Sequence, residues 1–266
     1  MKETWSAVIT AFNSGSTLGN ALDSIIGLPP EEKPLDIIVV DNASGDDSGR
    51  IASSRPGVTL VENPVNLGLS RANNMGAAMS RGSSLFFLNP DVEIAPGAIT
   101  ALRGFQRAHP EAALLGPLMT DDQGVPQSTA RTWPSLASVA ARRTGFGGTG
   151  AGAGIARRHL YRFHTGAPER AHWLVGAALW LTPGGRKTVG LMNEGYFLYF
   201  EDVEWCLRAW RRGMEVWIVP DAVITHVCRR QSADVTQKAA RLHFRSMIRF
   251  YSANPFAMFG KGPGIP

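Results

Sequence analysis

Short runs of apolar and β-branched residues alternate with amphipathic stretches over about the first hundred residues of the chain. Such alternation is typical of parallel strands joined by crossover helices. The apolar runs predict strands at 6–10, 36–40, 58–61 and 84–88, and the stretches between them predict helices near 17–26, 46–53 and 70–80. The first part of the chain is therefore expected to form a parallel, helix-flanked sheet.

The second part has a less regular pattern. It predicts strands at 113–119, 172–182, 215–219 and 223–228, a turn at 121–124, a helix at 201–212, a helix near 234–251 and a loose end at 255–266. Gly213 supplies a stop signal for the 201–212 helix. The glycine-rich segment 145–154 has few large side chains and is interpreted as a loop, either a lid or a linker.

Polar residues follow three of the predicted strands. The groups contain Thr10 and Asn13 after the first strand, Asp41 and Asn42 after the second, and Asn89 and Asp91 after the fourth. The apolar residues Ala11 and Pro90 belong to the same segments. Ligands of open α/β sheets bind beyond the carboxyl ends of the strands. Each group alone is also ordinary turn chemistry, so it is their gathering at one sheet edge that indicates a site.

A second acidic group, Glu201 and Asp202, begins the predicted 201–212 helix. A helix N-terminus favours ionised carboxylates, so the position alone fits a structural role as well as a catalytic one. Four tryptophans could offer flat faces to sugars, although core packing fits most of them: Trp173, Trp180, Trp205 and Trp210. Trp205, just after Asp202 and Glu204, is the one to test as an acceptor platform.

The composition fits one large domain or two tightly fused lobes, since 44% of the 266 residues are hydrophobic. The net charge is +5, and arginines cluster in the second half of the chain. These arginines form either an ordinary solvated surface or a surface that binds anionic partners. Cys206 and Cys228 form no spaced metal or disulfide set. Without an apolar membrane span or a signal-peptide core, a cytoplasmic setting is expected, with peripheral contact at the inner face of the membrane.

A series of short motifs, in their order along the chain, resembles the motifs of family 2 glycosyltransferases of the GT-A fold. Within that family the resemblance is to the bacterial rhamnosyltransferase group. The motifs are Val-Asp-Asn-Ala-Ser at 40–44, Asn-Leu-Gly at 66–68, Arg-Ala-Asn-Asn at 71–74, Leu-Asn-Pro-Asp at 88–91, Gly-Ala-Ala-Leu at 176–179, Phe-Glu-Asp-Val-Glu-Trp-Cys-Leu-Arg at 200–208 and His226. Each is weak alone, but their common order makes the resemblance specific.

The resemblance implies an α/β chain with a Rossmann-like, mostly parallel sheet flanked by helices and a fused acceptor-binding half. The expected division is 1–118 for the nucleotide-sugar half, 119–255 for the acceptor and catalytic-base half, and 256–266 for a loose tail, within a single GT-A domain. It also implies a nucleotide-binding set, with Asp41 accepting a hydrogen bond from a pyrimidine imide and Arg71 meeting phosphate charge. This set is Thr10, Ala11, Asn13, Asp41, Asn42, Asn66, Gly68, Arg71, Asn73, Asn89 and Pro90.

The resemblance further implies that Asp91 and His226 hold a divalent cation, Mg²⁺ or Mn²⁺. The family commonly has Asp-X-Asp where this chain has Asn89-Pro90-Asp91, so only Asp91 remains of the acidic pair. By the same match Asp202 is the base of an inverting displacement, Glu201 steers the acceptor or orients Asp202, and Arg208 anchors the helix or pairs with an acid.

The expected donor is a nucleotide-sugar, with dTDP-L-rhamnose first and UDP- or GDP-sugars open. The acceptor is a saccharide, a lipid-linked saccharide or a small molecule; no nucleic-acid partner is expected, and the sequence does not indicate an oligomeric state. A nucleotidyltransferase or a dehydrogenase is disfavoured, because 10–17 lacks a lysine-bearing phosphate loop and a G-x-G-x-x-G motif. The remaining alternative is a module that binds nucleotide-sugar or nucleic acid without turnover.

Overall fold

The computed structural model describes residues 3–143, 166–227 and 237–263, with only the backbone given for 141–143 and 237–239. The predicted 145–154 loop lies outside the described residues, as do Cys228 and four of the clustered arginines, Arg157, Arg158, Arg229 and Arg230.

The first part of the chain forms the predicted parallel sheet. Its strands are β1 (Trp5–Ala11), β2 (Asp36–Asp41), β3 (Val58–Glu62) and β4 (Ser84–Leu88), and its helices are α1 (Leu18–Ile26), α2 (Ser48–Ser53) and α3 (Leu69–Met79). The strands lie in the order β3-β2-β1-β4, and every neighbouring pair is parallel. The prediction is confirmed here, with ends that move by one or two residues.

The described chain beyond β4 adds further strands to this sheet, together with helices and a separate pair of strands. These elements are β5 (Val92–Ile94), α4 (Ala98–Ala108), β6 (Ala112–Thr120), β7 (Ala130–Arg131), α5 (Leu136–Arg143), β8 (Glu169–Arg170), β9 (Trp173–Leu174), β10 (Ala178–Leu181), α6 (Pro183–Thr188), α7 (Glu201–Arg211), β11 (Glu215–His226) and α8 (Gln237–Ala253). The order beyond β4 is β10-β6-β11-β5, with β8 on β11, whereas β7 and β9 pair separately. Strands of both expected halves thus share one sheet.

The predicted single strand at 172–182 is wrong. The chain instead forms β9 and β10, which belong to different sheets, with residues 175–177 between them. The backbone N–H of Val175 still bonds to Thr129, but the carbonyl of Ala177 accepts from Asn89 beside β4. An apolar run indicates that a segment is buried, but it does not indicate where the buried segment leaves one sheet and joins another.

The two strands predicted at 215–219 and 223–228 are one strand, β11, which ends at His226. Its register against β6 shifts between Val219 and Val223, so Pro220 and Asp221 lie in a bulge. A bulge lets a strand absorb residues that a sequence pattern suggests as a turn. The tail predicted to be loose also contains a short 3₁₀ helix, Pro255–Met258.

Two large apolar clusters fill the two faces of the sheet. On one face, Trp5, Phe86 and Trp180 lie ring against ring with centroids 5.5–6.2 Å apart. On the other, Trp205 meets Phe87 edge-on at 5.4 Å. The strands between these clusters are rigidly held, so the loops at their carboxyl ends are fixed in position.

Candidate active site

The Asn89-Pro90-Asp91 turn is held between two neighbouring strands. It follows β4, every residue of which is buried. The backbone N–H of Asn89 donates to the carbonyl of Ala177 at 2.8 Å, and the carbonyl of Asp91 accepts from Val227 at 3.0 Å. Because β5 starts at the next residue and pairs with the end of β11, the turn has little freedom to move.

Asp91 and His226 lie side by side at this turn. Nε2 of His226 is 3.4 Å from Oδ1 of Asp91, which is too long for a strong hydrogen bond. The other ring nitrogen, Nδ1, lies 3.1 Å from Oε1 of Gln127, whose Nε2 donates to the carbonyl of His226 at 3.0 Å. Gln127 accordingly favours the tautomer with the proton on Nδ1, which leaves the Nε2 lone pair facing Asp91.

This pair has the chemistry of a divalent-cation site. Oδ1 of Asp91 is buried and has no hydrogen-bond partner among the described residues, and a buried carboxylate oxygen without a partner is costly unless a ligand satisfies it. Carboxylate oxygen and neutral imidazole nitrogen suit Mn²⁺ or Mg²⁺. Within 3–143, 166–227 and 237–263, no group of three or more His, Cys, Asp or Glu residues surrounds a metal position.

Asp202 lies at the start of α7, with both carboxylate oxygens engaged by backbone. Oδ1 accepts from the N–H of Val203 at 2.8 Å and Oδ2 from the N–H of Gly176 at 3.0 Å. Burial raises the pKa of Asp202, while these N–H groups and the nearby charge of Arg131 oppose the rise. Each oxygen keeps a lone pair, and the side chain is only half-buried, so an outside hydroxyl can still reach it.

Glu201, the preceding residue, has a very different environment. It is 5% exposed, and its Oε2 has no hydrogen-bond partner among the described residues. Burial, and secondarily the charge of Asp202, raise the pKa of Glu201 to about 8. Glu201 is therefore a neutral carboxylic acid at neutral pH, because burial disfavours its charged form.

A short backbone link joins the two acidic groups. Gly176 donates to Asp202, and the next residue, Ala177, accepts from Asn89 in the turn that carries Asp91. A side chain at 176 would meet Asp202 itself, since an added Cβ would lie 3.3 Å from that residue's Cβ. The segment that breaks the predicted 172–182 strand thus connects the candidate base to the candidate metal residue.

A cavity of about 270 Å³ opens beside Asp91. Its lining consists of strand-end, loop and helix-start residues: Thr10, Phe12, Ser14, Thr17, Asn42, Asn66, Gly68, Leu69, Asn89, Pro90, Asp91, Phe197 and Leu198. Thr10, Asn42, Asn66, Gly68, Asn89 and Pro90, all predicted to bind nucleotide, are among them. A cavity of about 320 Å³ between Arg211 and Lys261 contains none of the predicted site residues.

Five residues of the predicted nucleotide set do not line this cavity. Ala11 is buried at the end of β1. The carboxylate of Asp41 accepts hydrogen bonds from the hydroxyl and the backbone N–H of Ser44. Oδ1 of Asn13 accepts a hydrogen bond from the backbone N–H of Gly45 at 2.8 Å. Asn73 accepts from the hydroxyl of Thr10 at 2.7 Å. Arg71 is exposed and forms an ion pair with Glu194, with Nε and Oε2 3.2 Å apart.

Asn42 acts as a connector between loops. Its Oδ1 accepts from Nδ2 of Asn63 at 3.1 Å and from the N–H of Leu67 at 2.9 Å, while its Nδ2 donates to Oδ1 of Asn66 at 3.0 Å. Such a fully used amide fixes the loop after β2 against the loop before α3. The cavity wall formed by Asn42 and Asn66 is therefore preorganised.

Left-handed backbone is concentrated around this edge of the sheet. In the described parts of the chain, the non-glycine residues with positive φ are Asn13, Ala43, Tyr199 and Phe200. The first two follow β1 and β2, and the last two precede the Glu201-Asp202 pair. Such conformations cost energy and tend to occur where a site requires a particular geometry.

Several neighbours of the site were not predicted from the sequence. Gln127 contacts His226, Arg131 lies close enough to Asp202 to influence its pKa, and Phe12, Phe197 and Leu198 line the cavity. Phe197 and Leu198 lie just before the 200–208 motif, and Phe12 lies between Ala11 and Asn13, so proximity in sequence could have suggested them. Gln127 and Arg131 follow an irregular turn and carry no comparable signal.

Two predictions about α7 have opposite outcomes. Trp205 is not available as an acceptor platform, because it is 0% exposed and its indole N–H donates to the carbonyl of Gly190 at 2.9 Å. Arg208 does anchor the helix. Its guanidinium pairs with Glu204 at 3.1 Å and donates to the carbonyls of Val189 and Leu191 at 2.8 Å each.

Comparison with known proteins places these features in a family. The family model described as "Glycosyl transferase family 2" matches residues 6–162. An N-acetylglucosaminyl-diphospho-decaprenol L-rhamnosyltransferase of Mycobacterium tuberculosis is 31% identical over 214 residues, which span 73% of this chain and 67% of the relative. The dTDP-rhamnosyl transferase RfbF of Shigella flexneri is 22% identical over 248 residues, 92% of this chain and 75% of that protein.

The fold is also that of solved glycosyltransferases. The crystal structure of GalNAc-T7 with UDP, GalNAc and Mn²⁺ superposes with a TM-score of 0.67 at 20% identity, covering 95% of this chain and 51% of that one. The architecture is accordingly the GT-A fold, as the sequence motifs implied. The chain spans about half the length of that structure and about two thirds of the mycobacterial relative.

Proposed function

Because the chain belongs to glycosyl transferase family 2, and is therefore a sugar-transferring enzyme, we propose that it moves L-rhamnose from dTDP-L-rhamnose to a hydroxyl group of a saccharide or lipid-linked saccharide. The names of two relatives support this donor: one is an N-acetylglucosaminyl-diphospho-decaprenol L-rhamnosyltransferase, and the other is a dTDP-rhamnosyl transferase. Membership of a transferase family disfavours the alternative of a module that binds without turnover.

One observation carries the proposal. A buried, partnerless Asp91 oxygen lies beside His226 on the wall of a cavity, and the 176–177 backbone ties the same turn to Asp202. Sugar transfer needs neutralisation of a departing diphosphate and removal of a hydroxyl proton. The two acidic groups are suited to these two separate tasks.

Asp91 and His226 would hold a Mg²⁺ or Mn²⁺ ion, which would supply positive charge to the departing diphosphate. The contacts of Gln127 with Nδ1 of His226 at 3.1 Å and with its carbonyl at 3.0 Å support this role. The cavity would take the nucleoside, with Thr10 and Asn66 on its wall and the exposed ring of Phe12 as a stacking surface. Asp41, which precedes Asn42 of this wall, is proposed to accept a hydrogen bond from the imide N–H of the pyrimidine. This bond would replace the one that the Ser44 hydroxyl donates to Asp41.

Asp202 would take the proton of the acceptor hydroxyl as that oxygen bonds to the anomeric carbon of the sugar. The bond from this carbon to the phosphate oxygen breaks in the same step, and the electron pair leaves with the nucleoside diphosphate. Attack from the face opposite the leaving group inverts the anomeric configuration. The raised pKa of Asp202 makes its carboxylate a better proton acceptor than an exposed aspartate.

The neutral acid of Glu201 has a positioning role in this proposal. Its charge is suppressed by burial and, secondarily, by the neighbouring charge of Asp202. A buried proton donor beside the base could hold the acceptor or restrain Asp202, but it would not compete for the acceptor's proton.

The test is nucleoside diphosphate release from a panel of dTDP-, UDP- and GDP-sugars with Mn²⁺ or Mg²⁺ and a saccharide acceptor. We expect acceptor-dependent release of nucleoside diphosphate to be greatest with dTDP-L-rhamnose. This release should be strongly reduced in the Asp202→Asn variant. Asp221→Asn, in the exposed bulge of β11, is the matched control because it removes a carboxylate of the same type. Faster turnover of another nucleotide-sugar would overturn the donor assignment.

A further inference from the structure

Helix α8 carries an exposed face of mixed basic and apolar character. Arg241, Phe244, Arg245 and Ile248 are all exposed and follow the i, i+3, i+4, i+7 spacing that places residues on one side of a helix. Phe244 and Ile248 are 57% and 49% exposed. We call these four residues the outer face of α8.

The charge of this region has one sign. No Asp or Glu occurs in residues 235–266, whereas Lys238, Arg241, Arg245, Arg249 and Lys261 are basic. Phe256 and Phe259, which follow α8, are 75% and 76% exposed. A segment without any acid, with basic and large apolar side chains on its surface, is complementary to a surface that is anionic outside and apolar beneath.

The opposite side of α8 contacts the loop that leads into the candidate base. The hydroxyl of Ser246 donates to the carbonyl of Leu198 at 2.8 Å, and Leu198 lines the nucleotide cavity. The ring of His243 lies 5.1 Å from Tyr199 and 5.3 Å from Phe200. The helix therefore connects its outer face to the residues that immediately precede Glu201 and Asp202.

We infer that the outer face of α8 docks on an anionic lipid surface and brings the active-site edge to that surface. A nucleic acid would also attract the arginines, but its phosphates would gain nothing from exposed Phe244 and Ile248. An interfacial helix uses both kinds of side chain, the cations for headgroups and the apolar groups for the acyl boundary. With 17 residues, α8 would lie along the surface over about 25 Å.

This inference deepens the proposed function, and rests on it only where it concerns the acceptor. If the acceptor is a lipid-linked saccharide, docking would confine the enzyme to the plane that contains its substrate. Lipid binding itself needs neither the donor nor Asp202, so the two ideas can fail separately.

The experiment measures co-sedimentation of the full chain with phosphatidylcholine vesicles with and without phosphatidylglycerol. We expect binding only with the anionic lipid, and Arg241→Glu/Arg245→Glu should weaken it by at least about thirtyfold. The charge-matched control is Arg50→Glu/Arg107→Glu, because both arginines are exposed and lie outside α8. Phe244→Ser/Ile248→Ser should also weaken binding, unlike Val125→Ser/Leu35→Ser, whose residues are similarly exposed.

Two further measurements separate the outcomes. Phe244→Leu/Ile248→Leu keeps the apolar groups and should retain binding, and circular dichroism reports whether each variant is folded. Face and control variants with equal vesicle binding would overturn the inference, as would stronger binding to a DNA duplex than to anionic vesicles, or self-association that the serine pair abolishes. Vesicle binding without sugar transfer to any acceptor would instead count against the proposed function alone.

Discussion

Nε2 of His226, the last residue of β11, lies 3.4 Å from Oδ1 of Asp91, the last residue of the turn after β4. The two residues meet because β5, which begins directly after Asp91, pairs antiparallel with the end of β11. The contact thus depends on a short strand pairing and would be lost if that pairing changed register.

Replacing Asp91 by Ala is expected to abolish metal-dependent binding of the nucleotide-sugar, because no third His, Cys, Asp or Glu among the described residues completes the site with His226. His226→Ala should weaken this binding less, since the carboxylate would remain. Titration calorimetry with and without a chelator would measure both effects. Asp122→Ala, in the exposed turn after β6, serves as the control, and chelator-sensitive binding that survives in Asp91→Ala would refute the metal assignment.

Gln127→Ala should lower the affinity for Mn²⁺ by about 10- to 100-fold, as is typical when the hydrogen-bond partner of a metal-binding histidine is removed. The reason is that Gln127 contacts both Nδ1 and the carbonyl of His226. The affinity can be followed through the electron paramagnetic resonance of free Mn²⁺. The exposed Gln123→Ala should leave it unchanged; similar effects of the two variants would mean that Gln127 does not orient the ring.

Asp202→Asn should reduce the turnover number by about 10²- to 10⁴-fold, the usual contribution of a general base. Binding of the donor should change little, because Asp202 does not line the nucleotide cavity. Steady-state kinetics together with donor titration would separate the two quantities. Unchanged turnover in Asp202→Asn, alongside unchanged turnover in the Asp221→Asn control, would remove Asp202 from the mechanism.

Glu201→Gln should stabilise the fold increasingly as the pH rises. The folded-state pKa of Glu201 is raised to about 8 from an ordinary value of 4.5. Between these values the unfolded chain releases the proton and the folded chain keeps it, so the stability of the wild type falls with rising pH. The glutamine variant lacks this loss, which by linkage amounts to roughly a few kcal/mol.

Urea unfolding at pH 5 and pH 8.5 would measure this effect, with the exposed Glu31→Gln as a reference. The stability advantage of Glu201→Gln should be larger at the higher pH, while that of Glu31→Gln should stay constant. An advantage of Glu201→Gln that is independent of pH would contradict a neutral buried acid.

Gly68→Ala should destabilise the protein and deform the cavity wall. The backbone φ of Gly68 is +86°, and an added Cβ would lie 2.6 Å from the carbonyl oxygen of Phe197. Gly124 has a similar φ of +77° but nothing within 4 Å of the added atom. Gly124→Ala should therefore cost only the backbone strain of about 1–3 kcal/mol, and Gly68→Ala clearly more. Thermal unfolding would compare them, and equal losses would show that the contact with Phe197 is unimportant.

Sequence patterns were sufficient for much of the fold. The alternation of apolar and amphipathic segments predicted β1 to β4 and the helices between them, because local periodicity reports which face of each element is buried. The pattern also predicted α7, from the acids at its start and Gly213 at its end. It missed β5, α4, β7, α5, β8 and α6, and it misread 172–182, because apolar character alone does not specify strand partners.

The residue types of the site were also visible in the sequence, and the motif resemblance named Asp91, Asp202 and His226. Their chemical states were decided by tertiary structure. Glu201 and Asp202 are neighbours at one helix start, yet only Glu201 is deeply buried with a partnerless oxygen. Burial depends on the packing of distant elements around the helix, and no local pattern encodes it.

The sequence by itself thus determined the sheet's first half, the family and the acidic residues at its edge. Only the tertiary structure decided that Gln127 would orient His226, that Trp205 would be enclosed in the core, and that residues 176–177 would link Asp202 to the turn of Asp91. The physical reason is range: periodicity and turn chemistry act between near neighbours in the chain, whereas these contacts join segments that only sheet pairing and core packing bring together.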